Sequence, residues 1–551
     1  MNNNKDNKII INKLDLNLTD FDKKKFNINL NRLAFIFLVI FFFIILYSTR
    51  VIYLSSKTLK NDSYKINKIN RADITDRNGA YISKSVFTSN VGVDPKLVKD
   101  KKKLLLKLQY TFPDKDFKKI KKKINGKKFF YIEKKMIPQR YNQIKLLGEK
   151  SIRLEQKITR IYPDKNLFSH VIGQIDNDNN GISGIEKSFD KILKDGRDRL
   201  SLTLDKEIQF IIRNELLSAQ KIFKNVGGAG ILMNINNGEI LSLVSVPDFN
   251  LNSRENIYDI NYINRATKGV YELGSVFKSF TIAAGLNYGL ISPDDMFLNL
   301  EKKMKCGGRT ISEYDENLPK DLSVEDILVH SSNIGSVKIG QIIGQKKLQE
   351  FLKKIGILSQ LEFDIEEIGK PLSFTWRDCK LKTVSYGHGI TTTPIQLAKG
   401  YAILTNGGYD VKPTLIKQKF SSLEKKRILN KDVSDQINKI LRKVVTHGTA
   451  TLSDVEGYEV GGKTGTAQIV ENGVYTNKKI NTFASVFPSS NPKYVLVILL
   501  EDTKLSKDYV YKYRNKPGSY KGTPFNTAGW TSVEITGKII DKIGPILATK
   551  Y

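Results

Sequence analysis

The chain has 551 residues, 40% of them apolar, which is too long for one hydrophobic core and apolar enough to build several. Lysine and arginine number 89 against 57 aspartates and glutamates, a formal net charge of +32, which admits nucleic acid, a membrane surface or an anionic polymer as a partner. No RNA- or DNA-binding motif is present, so the excess reads as a lysine- and asparagine-rich composition spread along the whole chain, and no nucleic-acid partner is expected.

Residues 1–32 are polar, rich in Asn and Lys, and expected to form a disordered tail. Leu33 to Tyr47 is an unbroken apolar run, and extension to Leu54 gives 22 residues, about 33 Å of helix. Arg50 then reaches back to the interface. No small-residue cleavage site follows, so 33–54 reads as a retained anchor. Lys23, Lys24, Lys25 and Arg32 before it nearly balance Arg50, Lys57, Lys60 and Lys65 after it. The short tail and large remainder predict a tail inside and a body outside.

Residues 55–220 are mixed and highly charged, with lysine runs at Lys101–Lys103 and Lys121–Lys123, a short strand at Phe129–Ile132, and turns at Asn179–Gly181 and Asp195-Gly196. No catalytic constellation assembles here, and a structural or partner-binding domain is expected. Residues 221–551 change character. Ala229–Asn234 and Glu239–Val246 flank Asn237-Gly238, which predicts a hairpin with a type I′ turn. Helices are expected at Ser275–Leu286, Ser323–Ile343, Pro394–Leu404, Val433–Val445 and Thr531–Ile543. Strands are expected at Glu459–Ile469, Thr482–Phe487 and Tyr494–Leu500. Strands first, helices between and strands last predict an α+β fold, one antiparallel sheet carrying helices. Cys306 and Cys379 form no CxxC, and the four histidines lack metal-binding spacing. Neither a disulfide framework nor a zinc site is expected, and no metal or cofactor.

The chemistry starts from Ser275 and Lys278. Three positions apart on a helix they share one face, so the pair can be a nucleophile with its own base. The lysine must then be partly neutral, through burial or a second cation. The spacing alone says little, since it recurs at Ser188/Lys191, Ser218/Lys221 and Ser422/Lys425 on ordinary helix surface. Two further motifs follow in order. Ser331-Ser332-Asn333 lies in a helix-rich stretch, and Lys463-Thr464-Gly465-Thr466 lies on a predicted strand. Alternation sends Lys463 and Gly465 to one side of that strand and Thr464 and Thr466 to the other, and Gly465 is expected to let a substrate backbone lie against the edge.

SxxK, SxN and KTG in that order are the signature of penicillin-binding proteins and serine β-lactamases. The chain resembles the class B penicillin-binding proteins, most closely the division-specific (septal) peptidoglycan transpeptidases. Arg71–Gly79, Arg160–Pro163, His170–Gly173, Gly181, Gly184–Glu186, Leu204–Gln209 and Asn264–Ala266 resemble further motifs of that family. Leu273 and Val276 depart from it, standing where the family usually has proline and threonine. Tyr271-Glu272, Gly387–Ile390 and Thr393-Pro394 resemble the septal branch more than the elongation branch.

The resemblance implies a cytoplasmic tail (1–32), a transmembrane anchor in the bacterial inner membrane (33–54), a non-catalytic pedestal or dimerisation-like domain (55–220) and an extracytoplasmic transpeptidase domain (221–551). It implies that Ser275 attacks the D-Ala-D-Ala bond of a stem peptide, releasing D-alanine, and that an amine of a neighbouring stem resolves the acyl-enzyme. Lys278 is the expected base, helped toward neutrality by Lys463, although the identity of the base is disputed in this superfamily. Ser331 relays a proton, Asn333 orients Lys278 and the substrate amide, and Lys463, Thr464, Gly465 and Thr466 bind the substrate's terminal carboxylate end. The oxyanion hole is expected at the N–H groups of Ser275 and Thr466. β-Lactams are expected ligands, and a membrane glycosyltransferase and other division proteins are expected partners. The rival readings are an elongation-specific transpeptidase, a β-lactam sensor and a non-catalytic wall-binding scaffold.

Overall fold

The computed structural model describes residues 20–61, 71–136, 138–196, 198–253, 260–372, 374–417 and 426–551. They fall into two units, 1–68 and 69–551. In the first, helix α1 (Asp20–Asn61) contains the stretch Asn31–Leu54, long and apolar enough to cross a membrane. The expected disordered tail is corrected in part. Asp20–Arg32 is helical, because a nucleated helix extends cheaply into polar flanks. The expectation for residues 1–19 lies outside the described residues.

Near the start of the second unit a long strand, β1 (Tyr81–Val93), pairs antiparallel with β2 (Phe130–Met136) and β3 (Ile152–Ile161). Helices α2 (Lys101–Thr111), α3 (Phe117–Ile124) and α4 (Pro138–Leu146) fold against one end of this sheet. Leu104, Leu108, Phe112, Ile120, Ile124, Met136 and Ile144 bury themselves there with Val91 and Val93, a core separate from the main one. This lobe corrects the reading of the charge. Residues 94–152 hold 19 Lys and Arg against 6 Asp and Glu, a net +13 of the chain's +32. The separate lysine runs Lys101–Lys103 and Lys121–Lys123 lie on the solvent faces of α2 and α3 and belong to one basic body.

Beside the lobe, several of the quoted motifs meet in a buried ion cluster. Glu186 accepts from Arg71 Nε at 2.5 Å and Arg160 Nε at 2.8 Å, and Arg71 also pairs with Asp190 at 2.6 Å. Removing one member would strand a charge without water, so the cluster locks the motifs together.

Helix α5 (Lys206–Phe223) starts at Asp205, whose carboxylate caps it by accepting from Glu207 and Ile208 N–H. It packs on a five-stranded antiparallel sheet in the order β6-β7-β8-β4-β5, built from β4 (Gly227–Asn234), β5 (Ile240–Val246), β6 (Gly461–Glu471), β7 (Val474–Phe487) and β8 (Tyr494–Glu501). The expected α+β arrangement is observed, with first and last strands side by side through β4 and β8. Helices α6 (Lys278–Asn287), α7 (Val324–Val329), α8 (Asn333–Ile343), α9 (Pro394–Thr405), α10 (Lys431–Thr446) and α11 (Ser532–Lys550) complete the element set that frames the site.

Three local expectations change. The β4–β5 connection is a five-residue loop in which Gly238 but not Asn237 has positive φ, so it is not type I′. The single helix expected over Ser323–Ile343 breaks between α7 and α8, because Ser332 caps a new helix through Gly335 N–H and Ser331 turns left-handed at φ +63°. Cys306 and Cys379 form a disulfide. Their 73-residue separation carries no local signal; the fold brings their Cα atoms to 5.2 Å.

Candidate active site

A cleft of about 1060 Å³ is lined by Gly274, Ser275, Ser331, Asn333, Thr464 and Thr466 among others. All three motifs therefore meet. Lys278 and Lys463 are fully buried and do not line it, so they lie behind its wall.

Ser275 sits in a one-turn 3₁₀ segment, Gly274–Phe277, that leads into α6. Almost the whole of α6 is buried, and Tyr401 on α9 secures its start by donating to Val276 O at 2.8 Å. Val276, in place of the family's threonine, is buried in the main core. Gly274 has φ +63°, and a Cβ there would meet Thr466 O at 2.6 Å. A Cβ on Gly465 would meet Leu273 O at 2.1 Å. The turn thus presses directly on β6, the edge strand of the sheet. This corrects the reason given for Gly465: its bare face receives the serine turn, not a substrate backbone. The alternation along β6 holds, with Thr464 and Thr466 toward the cleft.

Lys278 Nζ donates to Asn333 Oδ1 at 2.7 Å, to Ser331 Oγ at 3.0 Å and to Ser331 O. The left-handed turn at Ser331 aims both its carbonyl and its hydroxyl at the amine. Burial pushes the Lys278 ammonium down to about 7, against an opposing pull from Glu313. Lys463 is held well below the ordinary lysine value by burial first and by Lys278 second. Burial is the cause that lowers both amines, and the charge of Lys278 adds to the lowering at Lys463. A neutral amine can take a proton from a neighbouring hydroxyl, which is the chemistry the arrangement permits.

Sequence reasoning missed Glu313. Its carboxylate accepts from Asn333 N–H at 2.7 Å, Ile334 N–H at 2.9 Å and Ser332 Oγ–H at 2.6 Å, capping α8 where Asn333 begins it. Asn333 Nδ2 donates to the neighbouring Ser312 O at 2.8 Å. Ser312 ends, and Glu313 directly follows, the hairpin of Lys303–Cys306 and Arg309–Ser312, which the disulfide ties to helix Asp378–Ser385. A carboxylate capping a helix twenty residues later is a tertiary contact with no motif to betray it.

The Thr466 hydroxyl is engaged within the protein, donating to Asn481 Oδ1 at 3.1 Å and accepting from Ala528 N–H at 3.0 Å. What Thr466 offers a ligand is its backbone. Thr464 Oγ1 shares a hydrogen bond with Thr449 at 2.7 Å, a second residue that sequence reasoning missed. Asp315 and Glu316 also line the cleft, on its exposed rim. His388 stacks between Tyr475 (4.7 Å) and Tyr386 (5.9 Å), with Glu272 at 3.6 Å. Burial holds its pKa below the ordinary value while Glu272 pulls the other way. These contacts make it part of the cleft wall.

With this geometry in place, similarities to known proteins become informative. The penicillin-binding protein transpeptidase domain family matches residues 228–519, and the penicillin-binding protein dimerisation domain matches 66–214. The chain is 29% identical over 497 residues to the probable peptidoglycan D,D-transpeptidase FtsI of Caulobacter vibrioides, covering 87% of this chain and 82% of that protein. It is 27% identical over 478 residues to the peptidoglycan D,D-transpeptidase FtsI of Escherichia coli, covering 80% of each. Its fold is similar to the crystal structure of a peptidoglycan synthetase from Bifidobacterium adolescentis, with a TM-score of 0.65 at 20% identity over 87% of this chain and 96% of the other. The chain belongs to the penicillin-binding protein transpeptidase family: it is a class B penicillin-binding protein, a serine-type D,D-transpeptidase.

Proposed function

We propose that the protein cross-links peptidoglycan stem peptides at the division septum through an acyl-enzyme on Ser275. The observation that carries the chemistry is the buried Lys278 amine, with its lowered pKa and its bonds to Ser331 and Asn333. Ser275 Oγ attacks the carbonyl between the two terminal D-alanines, and Lys278 accepts its proton. Ser331 passes that proton to the departing D-alanine nitrogen, so the leaving group exits neutral. The N–H groups of Ser275 and Thr466 face the developing oxyanion, where the close approach of the turn to β6 supports such a pair. Thr464 holds the terminal carboxylate end, with the buried Lys463 amine behind its hydroxyl. An amine of a second stem then attacks the ester and closes the cross-link. A β-lactam presents a similar carbonyl and traps the same serine.

The septal assignment is supported by Tyr271-Glu272 and Gly387–Ile390, and by relatives named FtsI. We read α1 as the single anchor in the inner membrane, with the tail cytoplasmic and the catalytic domain outside. The pedestal and anchor are read as contacts for a membrane glycosyltransferase and other division proteins. Fluorescent penicillin tests the chemistry: a stable covalent label is expected on the wild type and none on Ser275→Ala or Lys278→Ala. No label on folded wild type would demote the chain to a scaffold. For placement, exchanging residues 33–220 with those of an elongation enzyme should move the protein away from mid-cell, and unchanged septal placement would sink that assignment.

A further inference from the structure

The basic lobe needs an explanation that the transpeptidase reaction does not supply. It carries a net +13 within 59 residues, 18 of its 19 cations being lysine. Among the described residues, only Lys107, Lys115 and Lys119 of those lysines pair with a carboxylate. The rest of the charge faces outward unneutralised, a conformation that self-repulsion disfavours unless an anionic surface meets it.

The helices show how the charge is presented. On α2, Leu104 and Leu108 turn into the lobe's core, so helical spacing puts Lys102, Lys103, Leu106 and Tyr110 on the opposite face. Leu106 is 68% and Tyr110 90% exposed. On α3, Ile120 and Ile124 are buried, which directs Lys118 and Lys122 outward with Lys119, Lys121 and Lys123 beside them. Lys107 Nζ donates to Leu147 O, joining α2 to the end of α4, where Leu146 is 84% exposed. Lysines interleaved with exposed leucines and a tyrosine match an interfacial membrane surface, where cations meet phosphates and amphipathic rings sit at headgroup level.

We infer that the lobe of residues 94–152 rests on the anionic phospholipid headgroups of the bilayer that holds the α1 anchor, an inference that depends on α1 spanning that bilayer. Two features favour lipid over an acidic protein. Lysine is depleted in protein interfaces, where arginine's planar fork gives specificity, whereas a smeared anionic sheet is served by point charges. The lobe also begins only forty residues after Leu54. The membrane is therefore present at high effective concentration, and each lysine near it strengthens binding by about fivefold. The consequence for function is an orientation: a lobe held on the lipid fixes the height and facing of the catalytic cleft above the membrane.

The full chain, reconstituted in nanodiscs, tests this by hydrogen–deuterium exchange. Amides of α2 and α3 should exchange at least about fivefold slower in discs containing phosphatidylglycerol than in discs of phosphatidylcholine alone, the effect of a single lysine–headgroup contact. The difference should vanish at high salt and in the variant Lys102→Glu/Lys103→Glu/Lys118→Glu/Lys122→Glu, with exchange in β4 to β8 unchanged as proof of folding. Equal exchange of α2 and α3 in both discs overturns the inference. So does protection that appears only when polyglutamate is added to neutral discs, which would assign the lobe to an acidic protein. A chain that fails to co-migrate with the discs overturns the anchor on which the inference rests, and is told apart from a failure of the lobe itself.

Discussion

Glu313 accepts the backbone N–H of Asn333 at 2.7 Å, although nothing in the sequence ties the two residues together. One carboxylate thereby fixes the N-terminus of α8 and lends negative potential to Lys278. Glu313→Gln keeps the shape and removes the charge. Loss of a charged cap at a helix N-terminus costs roughly 1–2 kcal/mol, so the melting temperature should fall. The distinguishing readout is the pH profile of penicillin acylation. Since Glu313 raises the Lys278 pKa, its removal should move the midpoint to lower pH. A midpoint that stays put would leave Glu313 as a cap and nothing more.

Lys278 itself dictates a pH dependence. Its ammonium is depressed to about 7, and only the neutral amine can take the Ser275 proton. The acylation rate should rise through a single ionisation near pH 7 and level off above it, falling about tenfold per pH unit on the acid side. Lys278→Arg should abolish acylation at every pH, because a guanidinium does not deprotonate in this range. Stopped-flow acylation between pH 5 and 9 checks both. An acylation rate flat across that range would remove Lys278 as the base.

How much of this was legible in the chain depended on the range of the interaction. The α+β order and the strands β6 to β8 were readable because alternation and helical spacing are local. Ser275, Lys278, Ser331, Asn333, Thr464 and Thr466 were readable because motif spacing records chemistry. Glu313, Thr449 and the Cys306–Cys379 pairing were not, since each is made by chain segments that meet only after folding. The lobe's charge was visible residue by residue, yet its concentration was missed because the composition was read as spread along the whole chain. The Asn237-Gly238 turn failed for a different reason: Thr414 takes part in the hairpin's end, donating to Gly238 O and accepting from Ile240 N–H, and this tertiary context overrides the dipeptide's preference.

The disulfide ties the hairpin before Glu313 to the helix that precedes His388. Closing a loop of 73 residues restricts the unfolded chain, a stabilisation of up to about 4 kcal/mol on the entropic model. Cys306→Ser/Cys379→Ser should therefore lower the denaturant midpoint and steepen the slope, because the unbridged unfolded chain expands further. It should also slow acylation by loosening Ser312 and Glu313 beside Asn333. Equal midpoints and rates with and without reductant would show that the hairpin holds its place by packing alone.

His170 gives the stability curve an acid limb. It is buried, its Nε2 lies 2.7 Å from Asn261 O, and burial lowers its pKa to about 4. The unfolded chain binds a proton near pH 6.5 and the folded chain does not until about pH 4, so the neutral ring's contribution is complete above 6.5 and lost as pH falls through that window. The loss amounts to about 3 kcal/mol by linkage. His170→Gln, which does not titrate, should flatten that limb in urea melts at pH 4 to 7. An unchanged slope would place the acid sensitivity in other groups.

Gly465 offers the sharpest test of how the nucleophile is held. A Cβ at this position would lie 2.1 Å from Leu273 O and 3.0 Å from Val276 Cγ1, so Gly465→Ala must push the Ser275 turn away from β6. Strand β6 keeps its pairing with β7 on the far side, and the expected stability cost is that of modest overpacking, roughly 1–3 kcal/mol. The turn carries both the Ser275 hydroxyl and its N–H, however, and a displacement of about 1 Å in a reacting group costs on the order of a hundredfold in rate. Acylation should collapse while the fold survives. Were Gly465 there to admit a substrate backbone, the alanine variant would instead weaken peptide binding and leave acylation by a small β-lactam nearly intact. Measuring the acylation rate with a small penicillin against the affinity for a stem peptide separates the two roles.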